Sequence, residues 1–150
     1  MEMIDELMRE IAAREAIRDL SARYCDCIWR QDLDGLVNLF TDDGIFAVEG
    51  LAVDAISRGH TQLREVYEKA IAELNPRLFI HSHVVDLLGG NRATGRCYAE
   101  LYSEKLATGL VGLGCYEDEY AKVGDKWKFS SRHYFLNVID TAVPLRTFMV

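Results

Sequence analysis

Four long segments rich in β-branched and aromatic residues fill the second half of the chain and most constrain its fold. These segments are residues 77–88, 92–106, 109–123 and 126–139. Short turn sequences separate them: Gly89-Gly90-Asn91, Ala107-Thr108-Gly109 and Val123-Gly124-Asp125. Because successive strands joined by short turns run antiparallel, the pattern predicts a mostly antiparallel sheet. One face of such a sheet is apolar and needs a covering layer.

The first half of the chain supplies that layer as helices. Apolar residues recur at helical spacing over residues 4–30, and charged residues mostly fill the other side, which predicts one long amphipathic helix. Thr61 is the predicted N-cap of a second covering helix, which reaches Asn75 and stops before Pro76. The sequence therefore predicts an α+β fold.

The segment between these two helices predicts smaller elements. Asp32 is the predicted N-cap of a short helix through Leu39, because its carboxylate can accept free N–H groups of the first turn. A turn is predicted at residues 41–44. A short β-hairpin is then predicted, with residues 45–48 and 53–56 as its two strands.

Composition limits the size and the partners of the protein. With 150 residues, of which 49% are hydrophobic, the chain can bury one core, so residues 1–150 are predicted to form a single domain. A net charge of −7 and the lack of a basic stripe argue against nucleic acid as a partner.

The same reading predicts a cytoplasmic protein that uses no metal ion. The start of the chain has no basic segment followed by an apolar one, and no run approaches the ~20 apolar residues that span a bilayer. Four scattered cysteines do not form a disulfide framework. Cys25 and Cys27 point about 200° apart on a helix, so they cannot share one ion there.

The stretch 16–46, with Leu39-Phe-Thr-Asp-Asp-Gly-Ile-Phe46 at its end, carries a family resemblance together with Tyr116-Glu-Asp-Glu-Tyr120 and Trp127-Lys-Phe129. In these features the chain resembles the nuclear-transport-factor-2-like superfamily, and specifically its SnoaL-like and scytalone-dehydratase-like branch. The resemblance implies a cone-shaped fold. In such a fold a curved, mostly antiparallel sheet is covered on its concave face by N-terminal helices and encloses one cavity.

The acid-base pair that this branch usually places in the cavity is not matched here. The position of its aspartate corresponds to Trp29, the position of its histidine falls on or near Leu78, and a third polar position corresponds to Leu101. A tyrosine on the first helix is retained as Tyr24. Asp26 does not replace the acid, because it lies about 180° from the apolar side of the helix and is predicted to be a surface charge.

Two histidines could replace the missing base. His81 and His83 are two residues apart on a predicted strand, so they should face the same side of the sheet. They could move a proton from inside the cavity, or they could be packed structurally and hydrogen-bonded there. A metal held by His81, His83 and His133 lacks an evident carboxylate to complete it, so no metal and no cofactor are predicted.

Strand alternation predicts which residues face inward. In the segment 92–106, the inward set is Cys97, Ala99, Leu101 and Ser103, and Tyr98 and Tyr102 face outward. In the last segment, the inward set is Trp127, Phe129, Ser131 and His133, whereas Lys126, Lys128, Ser130 and Arg132 face outward. Tyr116 corresponds to a polar pocket residue of the scytalone-dehydratase-like branch.

Two functions remain open at this stage. The first is a cofactor-independent, dehydratase-like lyase or an isomerase that acts on a small cyclic or aromatic-like molecule. Its catalytic residues would be Tyr24, His81 and His83, and its substrate-binding residues would be Trp29, Leu78, Leu101, Ser103, Tyr116 and His133. The second is a non-catalytic module of the same fold for ligand binding or subunit association, because fold alone does not decide function.

Self-association is also predicted, from the two faces of the sheet. Two helices can cover only one of its faces well, which leaves the other face for a partner. A homo-oligomer is therefore predicted, most simply a dimer joined sheet to sheet with Tyr98 and Tyr102 in the contact.

Overall fold

Over residues 1–49, 55–106 and 109–139, which the structure describes, a computed structural model of the protein has three helices and six strands. The helices are α1 (Glu2–Arg30), α2 (Leu33–Asn38) and α3 (Gly59–Leu74). The strands are β1 (Phe40–Glu49), β2 (Ala55–Arg58), β3 (Pro76–Gly89), β4 (Arg92–Ser103), β5 (Leu110–Val123) and β6 (Lys126–Ile139).

The six strands form one curved sheet in the order β2-β1-β6-β5-β4-β3. Only β1 and β6 pair in parallel among the described strands, and every other neighbouring pair is antiparallel. α1 packs mainly against β3, and α3 packs against β1 and α2. The α+β prediction, with helices on a mostly antiparallel sheet, is confirmed.

The long helix α1 covers the sheet with its second half only. Ile17, Leu20, Tyr24 and Ile28 are buried at the predicted helical spacing. Residues 1–12 are exposed throughout, including Ile11, although the apolar spacing that predicted the helix begins at residue 4. No helix in the described ranges has the length and apolar content that crossing a bilayer requires.

The starts of the two shorter helices differ in how well the sequence predicted them. The Asp32 carboxylate accepts a hydrogen bond of 2.9 Å from the Gly35 N–H, so the predicted cap of α2 is confirmed. The prediction of a Thr61 cap for α3 is wrong, because this helix begins at Gly59. At this end of the helix the Gln62 side chain accepts a hydrogen bond of 2.9 Å from the Arg58 N–H.

The predicted turn at residues 41–44 is wrong, because these residues belong to β1. They form an irregular stretch of that strand, where the pairing with β6 shifts from Phe40–Phe129 to Ile45–Ser131. The hairpin prediction holds where the structure describes it, since β1 and β2 pair antiparallel. Residues 53 and 54 of the predicted hairpin lie outside the described residues.

Strand β3 forms one edge of the sheet, and side chains of α1 bond to its carbonyl groups. Arg14 donates from Nη1 to the Val85 carbonyl. The Leu78 carbonyl accepts hydrogen bonds from Cys25 Sγ at 2.9 Å and from Trp29 Nε1 at 2.7 Å. The helix therefore occupies part of an edge that would otherwise present unpaired carbonyls.

A β-bulge in β3 separates the two histidines that alternation had placed on one face. The pairing moves from His81–Tyr98 to Val84–Arg96, so Ser82 and His83 together oppose one residue of β4. Ser82 has a left-handed backbone with φ of 53°. His81 therefore lies on the outer face, His83 lies on the inner face, and the prediction of a shared face is wrong.

A second bulge reverses the alternation of β6. The pairing with β5 moves from Tyr120–Phe129 to Glu119–Ser131, which leaves Ser130 as an extra residue. Beyond it Arg132 is fully buried, whereas His133 lies on the outer face. The predicted positions of Arg132, outward, and of Ser131 and His133, inward, are therefore wrong.

The outer face of the sheet, which the helices leave uncovered, carries a patch of large side chains. Phe79, Tyr98 and Leu113 are 44%, 47% and 39% exposed. Arg96 and Glu117 are exposed beside them and pair across β4 and β5. A two-fold contact places a patch against its own copy, and this mixture of apolar and oppositely charged groups suits such a contact.

We expect the protein to be a dimer joined through this outer face, with a mass of twice 17.0 kDa in light scattering at micromolar concentration. Tyr98→Lys should shift the equilibrium to the monomer, because it places a charge within the apolar patch. Ile11→Lys is the matched control, since Ile11 is an exposed apolar residue on α1. A wild-type mass of 17 kDa would contradict this expectation.

Candidate functional site

A small cavity lies between the sheet and the helices α1 and α3. Its wall contains four tyrosines, Tyr24, Tyr67, Tyr116 and Tyr134, and is otherwise apolar. The volume is about 50 Å³. Since a water molecule needs roughly 10–15 Å³ of such volume, the cavity has room for only a few small groups.

Tyr24, Tyr67 and Tyr116 form a contact cluster, in which the Tyr24 and Tyr67 hydroxyls are hydrogen-bonded at 3.0 Å. The Tyr24 ring meets each of the other two edge to face. Burial raises the pKa of all three phenols well above the ordinary value. They therefore remain protonated hydrogen-bond donors at neutral pH.

The fourth phenol, Tyr134, has no such partner. Its ring stacks on Tyr116 with centroids 4.7 Å apart, and the residue is 2% exposed. Its hydroxyl has no hydrogen-bond partner among the described residues. Burial raises the pKa of this phenol also. A buried hydroxyl without a partner is unusual, because its desolvation goes uncompensated.

Behind the cavity lies a fully buried ion pair between Arg132 and Asp118. Arg132 Nε is 3.0 Å from Oδ1 of Asp118, and Nη2 is 3.3 Å from Oδ2. Burial raises the pKa of Asp118, although the arginine and the Tyr120 hydroxyl oppose this change. Burial is the largest single influence and lowers the pKa of Arg132, but Asp118, Cys97, Tyr24 and Tyr116 together outweigh it, so the net change is a rise.

Aromatic rings surround the guanidinium of this pair. Its carbon lies 3.8 Å from the ring centroid of Tyr116, 4.2 Å from that of Tyr24 and 4.4 Å from that of Phe129. Such cation–π contacts stabilise a buried cation. Arg132 is not itself part of the cavity wall, so the wall presents the two tyrosine rings and not the charge.

A chain of hydrogen bonds links this ion pair to His83. The Tyr120 hydroxyl donates to Asp118 Oδ2 at 2.8 Å, and His83 Nε2 is 2.9 Å from the same hydroxyl. Burial, followed by the charges of Arg132 and Arg18, lowers the pKa of His83 to about 4. His83 is therefore neutral at pH 7, and it does not line the cavity.

The two positions that correspond to the family's acid-base pair meet in this structure, but without acid-base groups. Trp29 Nε1 donates to the Leu78 carbonyl, as described for the edge of β3. The Trp29 ring is 40% exposed and packs between Phe79 and the Arg77 guanidinium. Leu78 lines the cavity, whereas Trp29 lies outside its wall.

The other predicted site residues fall into two groups. Tyr24, Leu78, Leu101 and Tyr116 line the cavity as alternation and the resemblance indicated. Ser103 is buried but outside the wall, where its hydroxyl donates to the Leu74 carbonyl.

Two predicted histidines lie on the outer face, away from the cavity. His81 Nε2 is 2.7 Å from the Glu100 carboxylate, and His133 Nδ1 is 3.4 Å from that of Glu49. Within the described ranges, no cluster of three or more His, Cys, Asp or Glu side chains is arranged to hold a metal ion.

The sequence reasoning missed Tyr67, Tyr134 and Arg132. Tyr67 follows Leu63 by four residues, so the apolar spacing of α3 was a signal for it. Tyr134 and Arg132 had no such signal, because the bulge at Ser130 is not visible in the sequence pattern.

The comparisons with known proteins agree with this architecture. The sequence model of the SnoaL-like domain matches residues 9–133. Rv3472, a protein of unknown function from Mycobacterium tuberculosis, is 30% identical with a TM-score of 0.73, over 87% of this chain and 73% of that chain. No protein with a curated description matches at a significant level.

Two further solved structures from Novosphingobium aromaticivorans share the fold. A candidate scytalone dehydratase has a TM-score of 0.77 and 17% identity, over 89% of this chain and 90% of that chain. The beta subunit of a candidate aromatic-ring-hydroxylating dioxygenase has a TM-score of 0.74 and 21% identity, over 93% and 99%. At these identities the likeness concerns the fold alone.

Asp118→Asn should lower the free energy of unfolding by about 3–5 kcal/mol, because it leaves the Arg132 charge buried without its partner. Asp26→Asn is the matched control, since Asp26 pairs with Arg30 on the exposed side of α1, and it should change stability by less than about 0.5 kcal/mol. Urea denaturation measures both values. Equal effects of the two substitutions would contradict this account of the ion pair.

Acidification should destabilise the protein partly through His83. Its pKa is about 4 in the folded state and near 6.5 when unfolded, so the unfolded chain binds the extra proton first. The stabilisation is present above pH 6.5 and is lost as the pH falls toward 4. His83→Gln removes this titration, so the unfolding free energy of the wild type should fall relative to the variant across that window. A constant difference between the two would refute this assignment.

Proposed function

Because the chain belongs to the SnoaL-like domain family, we propose that its tyrosine-lined cavity binds a small, uncharged, cyclic or aromatic-like molecule. The observation that carries this proposal is the character of the wall, which is apolar apart from four phenols. An apolar enclosure with a few polar groups is typical of small-molecule sites, where the polar groups orient the ligand.

The electrostatics of the wall favour an uncharged ligand. The nearest buried charges, Arg132 and Asp118, pair with each other and lie behind the tyrosine rings. A charged ligand would lose its hydration without gaining an ion pair, which costs several kcal/mol. A neutral molecule gains the burial of its apolar surface instead.

The volume of the cavity sets how such a ligand enters. About 50 Å³ is well below the ~150 Å³ of a cavity that holds benzene, so a six-membered ring requires the wall to widen. The sheet side is held by the strand ladder and by the Arg132–Asp118 pair. The helical side is the part that can yield, because Val66, Ala70 and Leu74 of α3 contribute to the wall through side-chain packing.

The composition of the cavity wall favours binding without turnover over catalysis. Elimination and isomerisation need a base within hydrogen-bond reach of the departing proton. Among the described residues that line the cavity, none is a histidine or a carboxylate. His83 is engaged by Tyr120 outside the wall, and His81 and His133 lie on the outer face.

A dehydratase-like lyase or an isomerase is the second candidate. Tyr24 and Tyr116 are protonated donors that could polarise a ligand oxygen, and a protein of this fold is described as a candidate scytalone dehydratase. Subunit association of the kind that the dioxygenase beta subunit's name implies would use the outer face of the sheet and would leave the cavity free.

Small neutral rings such as tetrahydrofuran, cyclopentanone and phenol should bind the wild type in NMR titrations. Ala70→Leu should weaken this binding at least about tenfold, because Ala70 lines the cavity and the larger side chain fills it. Ala72→Leu is the matched control, since Ala72 is exposed on the same helix, and it should leave binding unchanged.

The same samples distinguish the two candidate functions. Unchanged ligand after prolonged incubation supports the binding role, whereas turnover that Ala70→Leu abolishes supports the lyase or isomerase. Equal binding by wild type and Ala70→Leu would place the ligand elsewhere and refute both functions for this cavity.

A further inference from the structure

A second face of α1, separate from its buried face, is exposed along most of the helix. Its residues follow one another at alternating spacings of four and three, which is the spacing of a seam between paired helices. They lie within about 80° of one another around the helix, and about 120° from its buried side. This face, which we call the α1 seam, consists of six exposed residues: Asp5, Arg9, Ala12, Ala16, Asp19 and Arg23.

The charges of the α1 seam are complementary to the same seam read in reverse. Suppose that two copies of the helix run antiparallel, with Ala12 of one opposite Ala16 of the other. Arg9 then lies opposite Asp19 of the second copy, because each is three residues from its alanine. A parallel alignment in register would instead place every charge opposite its own copy, and like charges repel. The order of charges therefore favours the antiparallel pairing.

The outer ends of the seam obey the same rule. In the antiparallel alignment Asp5 lies opposite Arg23 of the second copy, since each is seven residues from its alanine. Arg23 is also 2.8 Å from Asp19 on its own helix, and both side chains are more than half exposed. A second copy would therefore extend an ion pair that already exists at the surface into a network across two helices.

The structure leaves open space beside the α1 seam. Three seam residues line a groove of about 680 Å³, and three line a second groove of about 630 Å³, with Ala16 common to both. Asp125 and Trp127, at the start of β6, contribute to the walls of both grooves. The two alanines at the centre have the smallest side chains that a helix pair can place between its axes, so a second helix can approach closely.

We propose that the α1 seam is a self-association surface, and that its partner is the α1 seam of a second copy of this chain in antiparallel orientation. The contact is two-fold and isologous, because the same residues face each other from both sides. It is separate from the outer face of the sheet, since α1 lies on the opposite side. A protomer can therefore use both surfaces at once, and the α1 seam then joins dimers into larger assemblies.

The composition of the seam sets the strength of this contact. Alanines bury little apolar surface, and exposed ion pairs contribute little individually. The contact should therefore form only at concentrations of roughly hundreds of micromolar, above those at which the outer face pairs. Because the ion pairs stay near solvent, added salt should weaken it.

The test uses two charge-reversed variants, Asp5→Arg and Arg23→Glu, in sedimentation equilibrium at low salt. The mass of the wild type should double between micromolar concentration and several hundred micromolar. Each variant alone places like charges opposite each other in the antiparallel pair, so it should associate at least about tenfold more weakly. An equimolar mixture should recover the wild-type doubling, because the introduced arginine of one variant then lies opposite the introduced glutamate of the other.

A substitution at the centre of the seam supplies a second measurement. Ala16→Arg should abolish the doubling, because the long side chain holds the helices apart. Ala22→Arg is the matched control, since Ala22 is also exposed on α1 but lies about 100° from the seam, and it should double as the wild type does. Circular dichroism at micromolar concentration checks that both variants are folded.

Three results would each overturn the proposal. The first is a wild-type mass that does not rise with concentration. The second is equal association of folded Ala16→Arg and Ala22→Arg. The third is a mixture of the two charge-reversed variants that associates no better than either variant alone.

Discussion

The buried ion pair between Arg132 and Asp118 is the interaction on which the rest of the structure depends. The two residues are direct neighbours across β5 and β6, so a slip of either strand by one residue would carry one charge to the opposite face. A buried pair of this kind contributes little net stability, but its disruption leaves an unpaired buried charge. The pair therefore fixes the register of the strands that carry Tyr116 and Tyr134.

The same pair organises the aromatic interior. The guanidinium contacts the rings of Tyr116, Tyr24 and Phe129, which come from three different elements. The Asp118 carboxylate holds the Tyr120 hydroxyl, and through it His83. The Arg132–Asp118 ion pair thus positions the side chains on the sheet side of the cavity, while neither of its charged groups lines the cavity wall. The functional surface that results is phenolic and not acidic or basic.

The sequence predicted the fold because the signals for it are local and repeated. Alternation along β3 to β6, the spacing of α1 and the Asp32 cap each required only a few neighbouring residues. The site was predicted less completely, because two single-residue irregularities changed which residues face inward. The bulge at Ser82 and His83 separated the two histidines, and the bulge at Ser130 buried Arg132. Tyr24 was placed correctly by helical spacing, Leu101 by alternation along a stretch of β4 that pairs regularly with β5, and Tyr116 by the family resemblance.

The hydrogen bonds from α1 to the carbonyls of β3 have a consequence beyond the packing of one molecule. An edge strand of 14 residues could template a strand from another chain, and long open edges are a common route to aggregation. Arg14 donates a hydrogen bond to the Val85 carbonyl, and Cys25 and Trp29 both donate to the Leu78 carbonyl. The helix that covers the cavity thus also occupies part of the edge at which another chain could add a strand.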